Sequence, residues 1–346
     1  MKVAYLISFL FLLLLLQTCG TDCKSQPDSS LVDNLGKKCF VGGDPLLVDS
    51  ETGSGSFGNS TTYATGANPR SVYAIDLDSD GDNDLLSADS SSNQISVRFN
   101  DGNGTFGAST TYATGNQPFS VYANDLDGDG DNDLLSADAG SNQISMRFNN
   151  GSGGFGPASV YATGAGPASV YATDLDSDGD NDLLSADYNA NQISVFFNDG
   201  NGAFGARTTY KTGTNPYFVY AIDLDSDGDN DLLSADYGSN QISVRFNKGD
   251  GVFGVSTTYA TGTGPLSVYS TDLDSDGDND LLSADYDADQ ISVRFNDGNG
   301  VFGNSTTYAT GSKPISVYAN DLNGDGHNDL LSADYGSNQI SMRFNQ

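Results

Sequence analysis

Apolar and polar residues alternate in short stretches along most of this chain, and the alternation returns at a fixed interval. In Gln94-Ile95-Ser96-Val97-Arg98-Phe99-Asn100 every second side chain is apolar, the pattern of a strand with one buried face. Residues 60–65 and 71–75 are rich in β-branched and aromatic residues, which pack well on a pleated surface. Leu85-Leu86-Ser87-Ala88 is a short apolar run between an Asp/Gly cluster and a Ser/Asn cluster. Nothing from residue 57 onward sustains the 3.6-residue period of a helix. The spacing predicts four strands per unit: A over 71–75, B over 85–88, C over 94–99 and D over 106–114.

The unit repeats every 49 residues. Phe57-Gly58, Phe106-Gly107, Phe155-Gly156, Phe204-Gly205, Phe253-Gly254 and Phe302-Gly303 mark one place in six copies. A period of this length belongs to propeller blades or helical arrays, and the strand signals select the propeller. The expected fold is therefore all-β, a β-propeller of six four-stranded blades. The chain ends just after a strand C, and the repeats begin with an orphan strand D over residues 57–65. Pairing that strand with the last A-B-C hairpins would close the ring and remove its exposed sheet edge. Residues 41–56 could instead supply part of a seventh blade, although they lack the acidic loop described next.

Between strands A and B each copy carries Asp-x-Asp-x-Asp-Gly-x-x-Asp or a close variant. The candidate metal residues are Asp76, Asp78, Asp80, Asp82 and Asp84; Asp125, Asp127, Asp129, Asp131 and Asp133; Asp174, Asp176, Asp178, Asp180 and Asp182; Asp223, Asp225, Asp227, Asp229 and Asp231; Asp272, Asp274, Asp276, Asp278 and Asp280; and Asp321, Asn323, Asp325, His327 and Asp329. Alternate carboxylates on a curved loop converge on one point, and the glycine at position 6 supplies the turn. An all-oxygen cage selects a hard cation, and its flexibility suits Ca²⁺ better than Mg²⁺, giving up to six calcium ions. Position 7 would offer its backbone carbonyl. An EF-hand is excluded, because position 12 is Ser87 rather than glutamate and the flanks read as strands. The sixth loop carries two fewer negative charges and is expected to bind most weakly.

Acidic residues outnumber Lys and Arg 46 to 14, for a net charge of −32. That balance argues against nucleic acid and anionic membrane as partners. Lys2 followed by an apolar run from Val3 to Leu16 and then small or polar residues reads as an export signal, too short to span a membrane. The expected organisation is a signal peptide over 1–20, a leader over 21–56 and the propeller over 57–346, with no membrane span in the mature chain. The protein would be secreted, or alternatively lipid-anchored at the surface through Cys19. Cys23 and Cys39 are a candidate disulfide, in keeping with export. Asn59, Asn103, Asn150 and Asn304 stand in Asn-x-Ser/Thr sequons.

The unit resembles the FG-GAP/VCBS repeat, as found in integrin α-subunit propellers and many secreted microbial proteins. The Phe-Gly pairs, the acidic loop and the later Gly-x-x-Pro (Gly66 to Pro69, Gly164 to Pro167) carry the resemblance over residues 57–346. The family's Gly-Ala-Pro stands here as Gly-x-x-Pro. The resemblance implies a calcium-stabilised, commonly extracellular propeller, in a family that includes adhesion proteins and some sugar-binding lectins.

Alternating strand direction puts the A–B and C–D loops on one face and the D–A and B–C loops on the other. Most differences among the copies fall in the second set. The residue after Gly-x-x-Pro is Arg70, Phe119, Ala168, Tyr217, Leu266 or Ile315, and Tyr188, Tyr237, Tyr286 and Tyr335 stand in four B–C loops. Arg70, Phe119, Tyr188, Tyr217, Tyr237, Tyr286 and Tyr335 are therefore candidate ligand-binding residues, for an extracellular glycan or protein. The recurring Tyr73, Phe99 and Phe57 positions read as inter-blade core. His327 is the only histidine and lies inside an acidic loop, which excludes histidine-based nucleophilic catalysis. Asp89 and its equivalents Asp138, Asp187, Asp236, Asp285 and Asp334 recur in every copy and read as scaffold, so a non-enzymatic module is expected. The remaining readings are a purely structural calcium-stabilised surface protein and, behind it, a carboxylate-dependent enzyme acting on sugars.

Overall fold

The computed structural model describes residues 60–345, together with two short strands, Lys24–Ser25 and Leu31–Val32. The chain divides into two compact units, residues 1–62 and 63–346. In the first, the two short strands pair antiparallel, Lys24 opposite Val32. The expected export signal, the Cys23–Cys39 disulfide, Cys19, the Asn59 sequon and the candidate seventh-blade segment lie outside the described residues.

The second unit is all-β among its described residues. Blade 1 is built from strands A (Pro69–Ile75), B (Asp84–Asp89), C (Gln94–Arg98) and D (Thr110–Ala113), joined as an antiparallel meander. The same order recurs in four more four-stranded sheets and in a sixth of three strands, Pro314–Asn320, Asp329–Asp334 and Gln339–Arg343. Asn93 and its equivalents take a left-handed backbone in the B–C turn (φ 54 at Asn93), a conformation Asn tolerates better than most residues.

The cores lie between blades. Leu77, Leu86, Ala88, Ile95 and Val97 of blade 1 pack on Val121, Ala123 and Leu134 of blade 2, and equivalent clusters join each later pair up to blades 5 and 6. Both faces of strand B are covered, so Asp133–Asp138 is buried at every position. The strand-A tyrosines lie one against the next, Tyr73–Tyr122–Tyr171–Tyr220–Tyr269–Tyr318, with ring centroids 4.8, 4.9, 5.0, 5.8 and 4.7 Å apart. They form a collar along the innermost strands, consistent with the core reading of this position.

The closing strand expected from residues 57–65 is not among the described ladders. Tyr63 and Ala64 instead keep to blade 1, as every later strand D does to its following blade. The Tyr63 ring packs edge-on against Phe106 at 5.4 Å, and the Ala64 carbonyl accepts Arg98 Nη2 at 2.7 Å. These contacts use the side of the segment that faces blade 1 and leave its ladder side unpaired. The two end flanks are correspondingly bare. Val72 is 71% exposed where Val121 is 4%, and Ile340 is 67% exposed where Ile291 is 2%. On the blade 1 flank, Tyr63, Pro69, Arg70, Val72, Leu86 and Arg98 line an open cavity of about 400 Å³.

Strand C ends in an arginine that donates to the strand D of the preceding blade: Arg147 Nη2 to Ala113 O, Arg245 to Lys211 O and Arg294 to Ala260 O. Blade 3 has Phe196 at this position, and the carbonyl it would serve, Ala162 O, accepts Arg207 Nη1 at 3.2 Å instead.

Candidate metal centre and the opposite face

Each acidic loop curls because its first carboxylate collects backbone amides. Asp76 Oδ1 accepts from Ser79 N at 2.8 Å and Oδ2 from Gly81 N at 2.9 Å, with Gly81 at φ 94. Position 4 is also left-handed; it is Gly128 or Gly324 in two blades but Ser79 (φ 61), Ser177, Ser226 or Ser275 in the others. A non-glycine residue held there stores a small strain that the surrounding loop must maintain. The ninth residue anchors the far end, Asp84 Oδ2 accepting from Leu77 N and Oδ1 from Asn100 N.

This curl brings together ligand oxygens of positions 1, 3 and 9, all within 4.8 Å of one another: Asp76/Asp78/Asp84, Asp125/Asp127/Asp133, Asp174/Asp176/Asp182 and Asp223/Asp225/Asp231. In blade 5 the group is Asp272, Asp274 and Asp276. Position 5 otherwise braces the loop, as Asp80 Oδ1 accepts from Asp82 N. Position 7 turns away to the preceding loop: Asp131 Oδ1 accepts from Ser79 Oγ at 2.9 Å, and His327 Nδ1 lies 3.1 Å from Ser275 Oγ. In blade 6 Asn323 Nδ2 donates to Asp325 Oδ2, and no carboxylate group of this kind forms among its described residues.

The site has the electrostatics of a cation cage. Asp78 Oδ1, Asp127 Oδ1, Asp176 Oδ1 and Asp225 Oδ1 are buried without a hydrogen-bond partner. A buried, unpartnered carboxylate oxygen facing two other carboxylates is costly unless a cation sits among them. Burial, helped by neighbouring carboxylates, pushes Asp127 and Asp176 up, and burial pushes Asp133, Asp182 and Asp231 up to about 7. Asp321 is instead held below the ordinary carboxylate range, chiefly by the Gly326 amide. The donor set fits a hard cation in blades 1–5.

Two residues in every copy, whose signal was their invariance among the repeats, join these loops into a belt. Asn132 Nδ2 donates to Asp76 O and Asn149 Nδ2 to Leu77 O, both at 2.8 Å, so each blade from the second on caps carbonyls of the preceding loop. The bonds recur through Asn181, Asn230, Asn279 and Asn328.

On the opposite face, a register shift between Pro69 and Ser71, and at the same place in all six A strands, makes the residue after Pro a β-bulge. Bulges re-aim side chains, and this one carries the residue that differs in every blade. Arg70 stacks over Phe119 at 4.8 Å, and Tyr217 lies edge-on to Tyr188 at 6.0 Å. Tyr237 Oη donates to Asp287 Oδ2 at 3.0 Å, and Lys313 Nζ lies 5.1 Å from the Tyr286 ring centre. Tyr335 is exposed. Burial pushes the Tyr217 hydroxyl up; the Arg70 charge draws it down, and Tyr188 and Tyr286 push it up. Asp89 and its equivalents are buried latches at the B–C turn, each carboxylate accepting from two serines, a backbone amide and, in blades 1–5, a glutamine, as Asp236 does from Ser234, Ser243, Gly213 and Gln241.

A family model described as the FG-GAP-like repeat matches five overlapping segments, 76–136, 125–185, 174–234, 223–283 and 272–332. No curated protein matches the sequence. Among solved structures, a putative 6-phosphogluconolactonase from Bacteroides uniformis is similar over 82% of this chain and 83% of its own, at 18% identity and TM-score 0.61. Virginiamycin B lyase from Staphylococcus aureus is similar over 80% and 84%, at 19% identity and TM-score 0.53. An Agrocybe aegerita lectin, solved for its recognition of non-reducing terminal N-acetylglucosamine, is similar over 79% and 70%, at 21% identity and TM-score 0.51. These likenesses concern the propeller fold. No helix among the described residues is long and apolar enough to cross a membrane.

Proposed function

From a chain that belongs to the FG-GAP-like repeat family, we propose an exported, non-enzymatic recognition or adhesion propeller with structural calcium in its loops. Its ligand, a glycan or protein outside the cell, binds on the face opposite those loops. The observation that carries this reading is the bulge. Six near-identical blades place six different side chains at one re-aimed position of the innermost strands, beside an aromatic set that includes Tyr188, Tyr237 and Tyr286. Aromatic side chains with a polar tip suit sugar faces and protein hot spots alike. Calcium would be held by positions 1, 3 and 9 in blades 1–4, with the position-7 carbonyl as a further oxygen, and its part would be to neutralise the converging carboxylates and fix the loop belt. The buried latches argue against carboxylate catalysis, because their oxygens are taken up by hydrogen bonds.

The test is an array of extracellular glycans and proteins probed with the full chain in millimolar calcium, beside a Phe119→Ala/Tyr217→Ala variant of unchanged melting temperature. Selective binding that the variant loses supports recognition. A blank array with folded protein would leave the purely structural reading.

A further inference from the structure

We propose that the ligand of the bulge face is an acidic saccharide whose carboxylate is taken by Arg70 while its sugar ring lies against Phe119, Tyr217 and Tyr188; this rests on the recognition reading above. Seven arginines are described, and six of them, Arg98, Arg147, Arg207, Arg245, Arg294 and Arg343, donate to main-chain carbonyls. Arg70 alone makes no hydrogen bond or ion pair among the described residues. Arg70 is exposed, and its guanidinium carbon lies over the Phe119 ring, 4.8 Å from the ring centre. A guanidinium resting on a ring face keeps its fork of N–H donors free for a carboxylate, which it matches in two parallel bonds.

The charge distribution makes an anion the fitting occupant. Most carboxylates of this acidic chain lie in the A–B and C–D loops of the other face or in the buried latches. Among residues 60–345 only Asp287 and Asp289 stand free of both groups, in the blade 5 B–C loop, and both accept hydrogen bonds, from Tyr237 Oη and from Lys313 N. The bulge face therefore offers cations, Arg70 and Lys313, each over an aromatic ring, to a ligand that the rest of the surface repels. Arg70 lies over Phe119 and Tyr188 packs edge-on to Tyr217, and the Arg70 charge acts on the Tyr217 hydroxyl. The tyrosine collar begins three residues below Arg70, at Tyr73, about 10 Å along the strand. A sugar acid fits this set because its ring can lie on an aromatic face while its carboxylate meets the guanidinium.

The experiment is titration calorimetry of calcium-loaded full chain with an oligouronate, its carboxyl-reduced neutral counterpart and a polyglutamate of similar charge. Arg70→Ala and Arg70→Lys are compared, with melting temperatures confirming that both fold. The expected result is that the oligouronate binds about ten-fold or more tighter than the neutral sugar. Arg70→Ala should abolish that preference and Arg70→Lys restore part of it. Equal binding of charged and neutral sugar, unchanged by Arg70→Ala, would overturn the inference and leave recognition standing. Polyglutamate binding as tightly as the oligouronate would overturn the saccharide assignment. Absence of binding to either sugar also overturns it, and the broader recognition reading falls only if the array is blank as well.

Discussion

Replacing Asp236 with alanine tests whether the buried latches are structural. Its carboxylate is fully buried in blade 4 and accepts from the Ser234 and Ser243 hydroxyls, the Gly213 amide and Gln241 Nε2. These donors come from strand B, strand C and the D–A loop, so one side chain ties three segments. Truncation leaves three donors without an acceptor, since Gln241 Nε2 also donates to Ser243 Oγ. The hydroxyls can turn, but the Gly213 amide cannot, and each buried unsatisfied donor costs about 1–3 kcal/mol. Against that, burial already pushes this carboxyl up, so removing the charge relieves part of its own burial cost. The net loss is about 3 kcal/mol, or about 5 °C of melting temperature for a unit spanning residues 63–346. The latch ends the strand that the metal loop begins, about 16 Å away along Asp231–Asp236. Circular-dichroism melts should therefore show the same loss with calcium and with chelator, and Asp236→Asn should lose less. A shift below about 2 °C, or one that calcium abolishes, would refute the latch.

Three further outcomes follow from the loops. Millimolar calcium should raise the melting temperature of the full chain and excess chelator lower it, each site adding about 2.7 kcal/mol at a hundred-fold excess over its Kd; an unchanged melt would reject the cation cage. Without metal, Asp133, Asp182 and Asp231 are held up to about 7 against an ordinary 3.8. The folded chain then keeps protons that the unfolded chain has released, so the chelated protein should lose stability as pH rises from about 4 to about 7. Melts at pH 5 and 8 in chelator check this, and a higher melting temperature at pH 8 would contradict it. Asp127→Asn should weaken calcium binding by calorimetry, because its orphaned oxygen faces the cage, whereas Asp131→Asn should leave it nearly unchanged, because that side chain serves Ser79.

The six blades were legible because strand alternation and turn residues recur at one period, and each blade needs only local signals. The acidic loops were equally plain as residue types. Their division of labour was not, because Asp127 and Asp131 look alike until the loop curls and sends one inward and the other to its neighbour. The bulge was visible only as variability after Pro69 and its equivalents; that this position re-aims a side chain depends on the ladder with strand B. The belt of asparagines was hidden for a different reason: its bonds cross from blade to blade, over 56 and 72 residues of sequence. The closing strand was inferred from an orphan segment; Tyr63 and Ala64 keep the contacts that each later strand D makes with its following blade, but no ladder joins them to the sixth sheet among the described residues.

The exchange in blade 3 says how such an array can change over time. Phe196 gives up the guanidinium that every other strand C sends to the preceding blade, and Arg207, in the run that leads into strand D, restores a donor to the same carbonyl. The bond to that carbonyl is kept although the residue that supplies it has moved along the chain. Blades 2 and 4 can therefore be exchanged as modules, but Phe196 and Arg207 form an inseparable pair. Grafted into a neighbour alone, Phe196 would hand that exposed carbonyl to water, and Arg207 alone would compete with an arginine already there.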